Sequence, residues 1–322
     1  MFNLKILRST YFSEVKVISI GNLAVGGTGK TPTVEFIVNK LKDKYKLAVL
    51  SRGYLRKSKG FLIVDKTLKV EDVGDEAFQI ATKFENITVA VCKKRTEGIK
   101  LLIEKTKPDI ILLDDAFQHR KVIPTKSVIL TEYYKPYNKD YFLPYGRLRD
   151  NKIEAHRAEI IIVTKSPENI FPIENTIWRE NLKLFPYQKL FFTSLIYNTL
   201  HNFTDKNDTL DYEKLRNFAV ILVTGIGRSR YLYQFIKDKA FSLKHINFPD
   251  HYYFKKSDVK KIEKEFNELK AQKKIIITTE KDYVKLKDKL TDEQKQHWYV
   301  QEIEFKFHFN KEEEFIQLII DN

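Results

Sequence analysis

The sequence predicts an α/β fold: a mostly parallel sheet flanked by helices, with a second, smaller α/β domain after it. Short apolar runs typical of buried strands alternate with stretches of helical periodicity through the first half of the chain. Strands that alternate with helices in this way indicate a parallel sheet. A glycine-rich turn joins the first apolar run to the first helix, and the pattern loosens near the middle of the chain.

The first half opens with a predicted strand–helix–strand unit. A strand is expected at residues 16–20, a helix at 31–41 and the next strand at 46–50. The further strands of this half are predicted at residues 61–64, 87–91, 109–113, 127–130 and 159–163.

Prolines mark the predicted domain boundary. Pro167, Pro172 and Pro186 fall in a stretch where neither strand nor helix periodicity is sustained. We therefore predict a first domain at residues 1–170 and a second at 171–322, whose last helix is able to pack back on the first domain.

The second half is predicted to form its own sheet. Apolar runs at 191–196, 218–223 and 274–278 read as its strands, and the polar stretch 201–211 reads as a loop. Residues 257–269 form a charged amphipathic pattern, which predicts a helix with Ser257 as its N-cap.

Composition indicates a globular protein without a membrane span. The chain has 322 residues and 43% hydrophobic content, and its one cysteine, Cys92, cannot form an internal disulfide, which fits a reducing compartment. No window approaches the roughly 18 apolar residues that a spanning helix needs, so we expect a soluble or peripheral protein. The net charge of +14 favours anionic partners, although a lysine-rich surface also raises the net charge without any function.

The turn before the first helix has the composition of a phosphate-binding loop. Its residues are Gly26, Gly27, Thr28, Gly29, Lys30 and Thr31. Glycines allow backbone N–H groups to approach a phosphate at a helix N-terminus, Lys30 supplies a cation for the β- and γ-phosphates, and the Thr31 hydroxyl suits Mg²⁺. Ala24 stands where the G-x-x-x-x-G-K-[ST] pattern has its first glycine. The motif predicts a sheet of the P-loop NTPase type, and the alternative is an ordinary glycine-rich turn.

A second acidic motif follows the predicted strand at 109–113. Asp114 and Asp115 come directly after four apolar residues, where one carboxylate could reach the Mg²⁺ shell of the phosphate loop. The motif leaves open which of the two is nearer the metal. We take Asp114 as the metal ligand and Asp115 as a phosphate or substrate contact, and an acidic turn after a strand is the alternative.

Several motifs, in this order and spacing, resemble the tetraacyldisaccharide 4′-kinase family over residues 15 to about 290. They are Gly21-Asn22-Leu23, the loop through Pro32, Ser51-Arg52-Gly53-Tyr54, Gly74-Asp75-Glu76, Asp114-Asp115-Ala116-Phe117-Gln118-His119, Leu143-Pro144 with Gly146-Arg147-Leu148-Arg149-Asp150, Val163-Thr164-Lys165, Thr224-Gly225-Ile226-Gly227, Phe248-Pro249-Asp250-His251 and Thr278-Thr279-Glu280-Lys281-Asp282. The resemblance implies transfer of the ATP γ-phosphate, with Mg²⁺, to the 4′-hydroxyl of an acyl disaccharide lipid. It further implies a peripheral protein at the cytoplasmic face of the inner membrane, or a cytoplasmic one, and we expect a monomer.

The resemblance also implies catalytic roles for two residues outside the phosphate loop. Asp75 would accept the proton of the acceptor hydroxyl, and His251 would pair with it, alongside Lys30 as the third catalytic residue. The sequence alone favours structural roles for both residues. Asp75 would be the N-cap of a helix, and His251 would be a histidine packed among aromatic residues.

A further group is expected to contact phosphate or substrate. Its members are Arg52, Glu76, Asp115, Gln118, His119 and Arg149. For Arg52, Gln118, His119 and Arg149, ordinary surface hydrogen bonds and ion pairs are the alternative. Asp150 departs from the glutamate expected there, which weakens any role in the metal shell.

The family pattern also includes a basic amphipathic segment before the first strand. About fifteen residues precede Lys16 here, and residues 1–8 are expected to be a remnant of that segment.

Two other functional classes are open at this stage. The loop also resembles that of deviant-Walker ATPases and metallochaperones, but these carry a signature lysine where this chain has Val25. A nucleic-acid-binding module is suggested only by the positive charge, and no nucleic acid partner is expected. The aromatic segments at 133–137 and 252–256 are interpreted instead as contacts to acyl chains, sugar or bilayer.

Overall fold

The computed structural model describes residues 9–65 and 67–321 of the chain. Two compact units are present: the first extends to Ile196 and resumes at Glu304, and the second is Tyr197–Ile303. Residues 1–8, which are expected to be a remnant of the basic amphipathic segment of the family, lie outside the described residues.

The first unit contains a nine-stranded sheet with the order β17-β10-β9-β8-β2-β6-β3-β5-β4. The strands are β2 (Lys16–Asn22), β3 (Leu47–Ser51), β4 (Leu62–Ile63), β5 (Thr88–Val91), β6 (Ile110–Asp114), β8 (Lys126–Glu132), β9 (Ile160–Thr164), β10 (Lys189–Tyr197) and β17 (Ile303–Phe307). Neighbouring strands from β10 across to β5 run parallel, and β4 is antiparallel to β5. The mostly parallel sheet predicted from the alternation of strands and helices is confirmed.

Helices cover this sheet, as buried parallel strands require. They are α1 (Lys30–Leu41), α2 (Val70–Val73), α3 (Asp75–Lys83), α4 (Arg95–Thr106), α5 (Ile173–Leu182) and α10 (Glu312–Ile320). The strands β3, β6 and β9 are buried along their whole length, and apolar residues of α1 such as Ile37 and Val38 are fully buried. A separate two-stranded sheet pairs β1 (Thr10–Tyr11) with β7 (Val122–Ile123).

The parallel arrangement sets the location of the chemistry. In parallel strands the carboxyl ends all lie at one edge of the sheet, where ligands of open α/β sheets bind. β2 and β6 pair side by side, with Ile20 opposite Asp114. The phosphate loop after β2 and the aspartates at the end of β6 therefore share one edge.

The strand at 191–196 belongs to the first sheet and not to the second, contrary to the sequence prediction. β10 pairs in parallel with β9, and α5 forms the crossover between them. Pro172 caps the N-terminus of α5, and Pro167 and Pro186 lie outside the helix, so these prolines bracket a helix and do not separate domains. The compact units accordingly divide after Ile196 and not at residue 170, and α10 lies in the first unit.

The second unit contains a six-stranded sheet with the order β12-β11-β16-β15-β13-β14. Its strands are β11 (Leu200–Asn202), β12 (Thr209–Leu210), β13 (Ala219–Thr224), β14 (Ser242–Asn247), β15 (Lys274–Thr279) and β16 (Trp298–Gln301). Its helices are α6 (Arg230–Lys237), α7 (Lys256–Glu268), α8 (Glu280–Leu286) and α9 (Asp292–Lys295).

Two local predictions for the second unit are wrong. The stretch 201–211 is not simply a loop, because β11 and β12 form an antiparallel pair within it. Ser257 lies inside α7, whose N-cap is Lys255, and the Asp258 carboxylate accepts the Lys255 N–H at 2.7 Å. An acidic residue at the third helical position thus satisfies this helix end.

Within residues 9–65 and 67–321, the longest helices remain too short and too polar to traverse a bilayer.

Candidate active site

The phosphate loop connects the buried end of β2 to the first turn of α1. Gly26 and Gly29 have φ angles of 106° and 96°, a region that side chains rarely adopt, and Gly29 is the N-cap of α1. A Cβ atom on Gly29 would lie 2.7 Å from the ring of Phe305. Lys30 and Thr31 begin the helix, so their N–H groups have no acceptor in a preceding turn and are suited to an anion.

Hydrogen bonds from the end of β2 and from β9 hold this loop in shape. The Asn22 side-chain amide donates to the Thr28 hydroxyl at 2.6 Å, and the Thr164 hydroxyl donates to the Thr28 carbonyl at 2.9 Å. On the outer side, Val25 N–H donates to the Arg147 carbonyl at 2.8 Å. The loop is therefore preorganised, which reduces the ordering needed when a ligand binds.

Asp115 is the acidic residue that contacts the phosphate-loop lysine. Lys30 Nζ lies 3.8 Å from Asp115 Oδ1. Arg149 donates to both carboxylate oxygens of Asp115, one of them at 3.1 Å. Asp115 has φ 48°, in the left-handed region that residues other than glycine rarely adopt, and such strained residues cluster at functional sites.

Asp114 occupies a more buried position at the end of β6. Its side chain is 4% exposed, and its backbone carbonyl accepts a hydrogen bond of 3.0 Å from the buried guanidinium of Arg95. The role of Asp114 as the metal ligand stays a prediction.

The charge around Asp115 is dominated by cations. Burial alone would raise its pKa, but Lys30, Arg149 and Arg95 together hold the pKa of Asp115 below its ordinary value. Burial lowers the pKa of Arg95 to about 10, against the opposing effect of Asp114 and Asp115. Asp115 is consequently an anion at neutral pH.

Arg149 and Gln118 join the aspartates to the end of β2. Arg149 donates to the Asn22 side-chain carbonyl at 2.6 Å, and Gln118 donates to the Asn22 backbone carbonyl at 2.7 Å. Both residues were expected near the phosphate site from sequence, and both lie in the network that includes Asp115 and the phosphate loop.

Asp75 and Glu76 begin helix α3. Asp75 is 3% exposed and Glu76 is half-buried. The N-cap is Gly74, so the sequence alternative of an N-cap role for Asp75 is not realised, and the Asp75 carboxylate accepts the N–H of Glu76 at 3.2 Å. The segment after β3 packs against this helix start, because a Cβ on Gly74 would lie 3.0 Å from the Tyr54 carbonyl oxygen. Arg52, in the same segment, is exposed to solvent.

His251 lies in the second unit, in the loop between β14 and α7. It has φ 57°, and its Nε2 atom lies 3.5 Å from Lys281 Nζ and 3.9 Å from Asp250 Oδ1. The neighbouring rings of Phe248 and Tyr252 stack at 4.7 Å. The histidine is thus partly buried between charged groups and an aromatic cluster, and its pairing with Asp75 stays a prediction.

His119 and Asp150 occupy the flank of the aspartate motif. Burial, together with Arg95, Lys121 and Arg52, lowers the pKa of His119 to about 4, so the ring is neutral at pH 7. The Asp150 carboxylate lies 3.6 Å from the guanidinium of Arg120 and 3.8 Å from that of Arg157. Asp150 therefore takes part in ion pairs.

Two further residues at this edge were not assigned to the site from sequence. The first is Arg95, which follows β5 and belongs to none of the motifs recognised in the sequence. Lys165, at the end of β9, donates to the Gly27 carbonyl at 2.5 Å and lies 3.4 Å from the buried Glu132. Burial, with Arg147 and Lys135, lowers the pKa of Lys165 to about 8. Its position at the carboxyl end of a parallel strand is the signal that could have identified it.

The aromatic segments interpreted as lipid contacts are largely internal. In the first, Pro136 and Tyr137 are buried and the Tyr133 hydroxyl donates to Glu174 at 2.6 Å, while Tyr134 is exposed. In the second, Phe254 is 2% exposed. Hydrophobic packing inside each unit accounts for most of these rings.

Comparison with known proteins identifies relatives over almost the whole chain. The family model described as tetraacyldisaccharide-1-P 4′-kinase matches residues 2–322. The tetraacyldisaccharide 4′-kinase of Bacteroides thetaiotaomicron is 40% identical over 332 residues, covering 99% of this chain and 87% of the relative. That of Parabacteroides distasonis is 41% identical, covering 99% and 88%.

A solved structure agrees with these relatives. The crystal structure of LpxK from Aquifex aeolicus in complex with ATP matches with a TM-score of 0.73 and 28% identity, covering 99% of this chain and 91% of that one. No support for a deviant-Walker ATPase or metallochaperone comes from the family match. The chain belongs to the tetraacyldisaccharide-1-P 4′-kinase family.

Proposed function

We propose that this chain is an ATP-dependent kinase that phosphorylates the 4′-hydroxyl of a tetraacyldisaccharide 1-phosphate, a step of lipid A synthesis. The family match over residues 2–322 supports the activity. The structural observation that supports it most directly is the position of Lys30 beside Asp115 at the start of α1, where an ATP phosphate chain would meet both a cation and the acidic end of β6.

The residues at this edge fit ATP and Mg²⁺ by the chemistry of their donor atoms. The backbone of Gly26 to Thr31 would hold the phosphates, and Lys30 would contact the β- and γ-phosphate oxygens. A hydroxyl and carboxylates are the hard oxygen ligands that Mg²⁺ prefers, so Thr31 and Asp114 would hold the ion. When bound, Mg²⁺ would neutralise charge on the phosphate chain.

The reaction forms one bond and breaks one bond at the γ-phosphorus. The 4′-hydroxyl oxygen bonds to the γ-phosphorus while the bond to the β–γ bridging oxygen breaks, and ADP leaves. The hydroxyl proton passes to the Asp75 carboxylate. Because phosphoryl transfer has a loose transition state, Lys30 and the preorganised loop contribute mainly by positioning and charge neutralisation.

His251 is proposed to orient Asp75 and tune its basicity, as the family resemblance implies. Contacts to phosphate or substrate are proposed for Arg52, Glu76, Asp115, Gln118, His119 and Arg149. Of these, Arg149 has a clear structural role as well, because it holds Asp115 in the conformation that faces Lys30.

Two further features are part of the proposal. The acceptor carries acyl chains, so we propose peripheral association with the cytoplasmic face of the inner membrane. We also propose a monomer with two domains, the phosphate-loop domain and an α/β domain that contributes to the substrate cleft.

The direct test is transfer of label from ATP to lipid. Purified protein is incubated with Mg²⁺, γ-labelled ATP and tetraacyldisaccharide 1-phosphate in detergent micelles, and the lipid is separated and counted. Lys30→Ala and Asp75→Ala should each lower transfer by roughly two orders of magnitude or more, with thermal unfolding near that of the wild type. Lys100→Ala, on the exposed side of α4, is the matched control and should keep activity.

Each outcome has a definite meaning. Transfer that survives Asp75→Ala would remove Asp75 as the proton acceptor. ATP hydrolysis that depends on dimerisation, with no label in the lipid, would favour the ATPase alternative and overturn the proposed function.

A further inference from the structure

One short loop of the first unit exposes four large apolar side chains. In the loop at residues 141–145, between β8 and β9, Tyr141 is 71% exposed, Phe142 53%, Leu143 52% and Tyr145 96%. Single exposed apolar residues are ordinary, but a contiguous group of this kind usually marks an interaction surface. None of these four residues is needed by the phosphate chemistry proposed above.

The backbone of this loop is held by hydrogen bonds, so the exposure is built into the structure. The Asp140 carboxylate accepts the N–H groups of Tyr141 at 2.9 Å and Arg147 at 3.0 Å. Gly146 N–H donates to the Phe142 carbonyl at 3.0 Å, and Leu148 N–H closes the base on the Tyr141 carbonyl at 2.8 Å. A side chain at position 146 would collide with the Tyr141 backbone. The loop is a turn held by these backbone hydrogen bonds, and its large apolar side chains are exposed to solvent.

Lysines accompany the exposed rings. Lys152 Nζ lies 5.7 Å from the centre of the Tyr141 ring and also donates to the Asn138 carbonyl at 2.8 Å. Lys135 and Lys139 are exposed in the segment that leads into the loop. Asp140, the acidic residue directly before the loop, is paired with Arg147 at 2.8 Å. Aromatic rings next to lysines match the headgroup region of an anionic bilayer. A second copy of this chain is a poorer match, because it carries a net charge of +14.

We propose that the loop at residues 141–145 inserts into the interface of an anionic bilayer. The rings and Leu143 would enter the boundary between headgroups and acyl chains, and the lysines would contact lipid phosphates. This inference deepens the proposed function, because a kinase with a lipid acceptor must work at a membrane surface.

The base of the loop is joined directly to the phosphate loop. Val25 N–H donates to the Arg147 carbonyl at 2.8 Å, and Arg149 N–H donates to the Leu23 carbonyl at 2.9 Å. Val25 itself is 37% exposed. Insertion of the loop would therefore bring the phosphate-binding edge of the sheet close to the lipid surface from which the acceptor must come.

The test measures vesicle binding without ATP or acceptor. Full-length protein is sedimented with phosphatidylglycerol–phosphatidylcholine vesicles and, separately, with phosphatidylcholine alone. The triple variant Phe142→Ser, Leu143→Ser and Tyr145→Ser should lower the partition coefficient on anionic vesicles by about tenfold or more, because it removes most of the inserting surface. Phe241→Ser, an equally exposed phenylalanine of the second unit at 75%, is the matched control and should change binding less than about twofold.

A second variant guards against misfolding and identifies the inserted residue. Tyr145→Trp adds a reporter whose fluorescence should be quenched by brominated acyl chains, above the background of the wild-type tryptophans. Unchanged binding by the triple variant, or an unquenched tryptophan at position 145, would overturn the proposal.

Failure of the proposed kinase activity and failure of the proposed membrane insertion give different experimental results. Protein that binds vesicles through the loop but transfers no label would leave this inference intact and contradict the proposed function. A triple variant that binds vesicles normally but loses transfer to the micellar acceptor would show that the loop holds acyl chains of the substrate, which also overturns the proposal.

Discussion

Lys30 Nζ lies 3.8 Å from the Asp115 carboxylate, so the phosphate-loop lysine already has an anionic partner. An incoming γ-phosphate would compete with that carboxylate for the lysine. Arg149, which donates to both Asp115 oxygens, supplies the charge that keeps the carboxylate in place when the lysine turns toward phosphate. The ion pair thus couples the phosphate loop to the acidic end of β6.

Asp115→Asn should lower kcat by more than about tenfold and change the KM for ATP less. The amide keeps the shape of the side chain but removes the negative charge that positions Lys30 and Arg149. Steady-state transfer assays at saturating and limiting ATP measure this. Asp43→Asn, at an exposed position after α1, is the control and should leave both constants within about twofold. A wild-type kcat for Asp115→Asn would contradict the positioning role.

Gly29→Ala should lower the free energy of unfolding by about 2–3 kcal/mol. Alanine is strained at φ 96°, and its Cβ would meet the Phe305 ring at 2.7 Å. Gly27→Ala is the matched control in the same loop, because a Cβ there has no heavy atom within 4 Å and should change stability by less than about 0.5 kcal/mol. Urea unfolding of both variants tests the pair, and equal stabilities would mean that the loop relaxes around the new methyl group.

Local patterns predicted the turn before α1 and the acidic end of β6 because both are determined by neighbouring residues in the chain. The turn before α1, the lysine that begins the helix and the aspartates that end β6 all follow from strand–turn–helix chemistry. Periodicity likewise predicted most strands of the first sheet to within a few residues.

The features that the sequence did not predict depend on pairing between segments that are distant in the chain. β10 was assigned to the wrong sheet because an isolated apolar run looks the same in either, and only its register with β9 decides the question. Arg95 and Lys165 escaped for the same reason, since each reaches the site through a long-range contact, with Asp114 and Gly27 respectively. The exposure of the loop at 141–145 also depends on its fold, because Tyr137, a few residues earlier, is buried.

His119 should make the protein less stable as the pH falls from about 6.5 to about 4. Its folded-state pKa of about 4 lies below the ordinary value of 6.5, so between these values the unfolded chain binds the proton and the folded chain does not. The stability contributed by the neutral ring is present above pH 6.5 and is lost as the pH falls. After allowance for its partial exposure, we expect a loss of about 1 kcal/mol between pH 7 and pH 5.

The measurement is urea unfolding of the wild type and His119→Gln at the two pH values. The variant should lose about 1 kcal/mol less than the wild type over this interval, because glutamine does not titrate. His156→Gln, at an exposed histidine, is the control and should follow the wild type. Parallel pH profiles for the wild type and His119→Gln would show that His119 is not responsible.

Lys165 should make ATP binding weaken as the pH rises through about 8. Its ammonium lies beside the phosphate loop, donating to the Gly27 carbonyl at 2.5 Å, and its lowered pKa of about 8 means that the cation is present below that pH and lost above it. Loss of one nearby positive charge should raise the KM for ATP by about tenfold between pH 7 and pH 9, with a smaller effect on kcat.

Lys165→Met should have the high KM at every pH, whereas Lys165→Arg should keep a low KM up to pH 9 because a guanidinium stays charged. Lys189→Met, an exposed lysine at the start of the neighbouring strand β10, should retain the wild-type profile, and a flat wild-type KM across this range would mean that the lysine only supports the loop backbone.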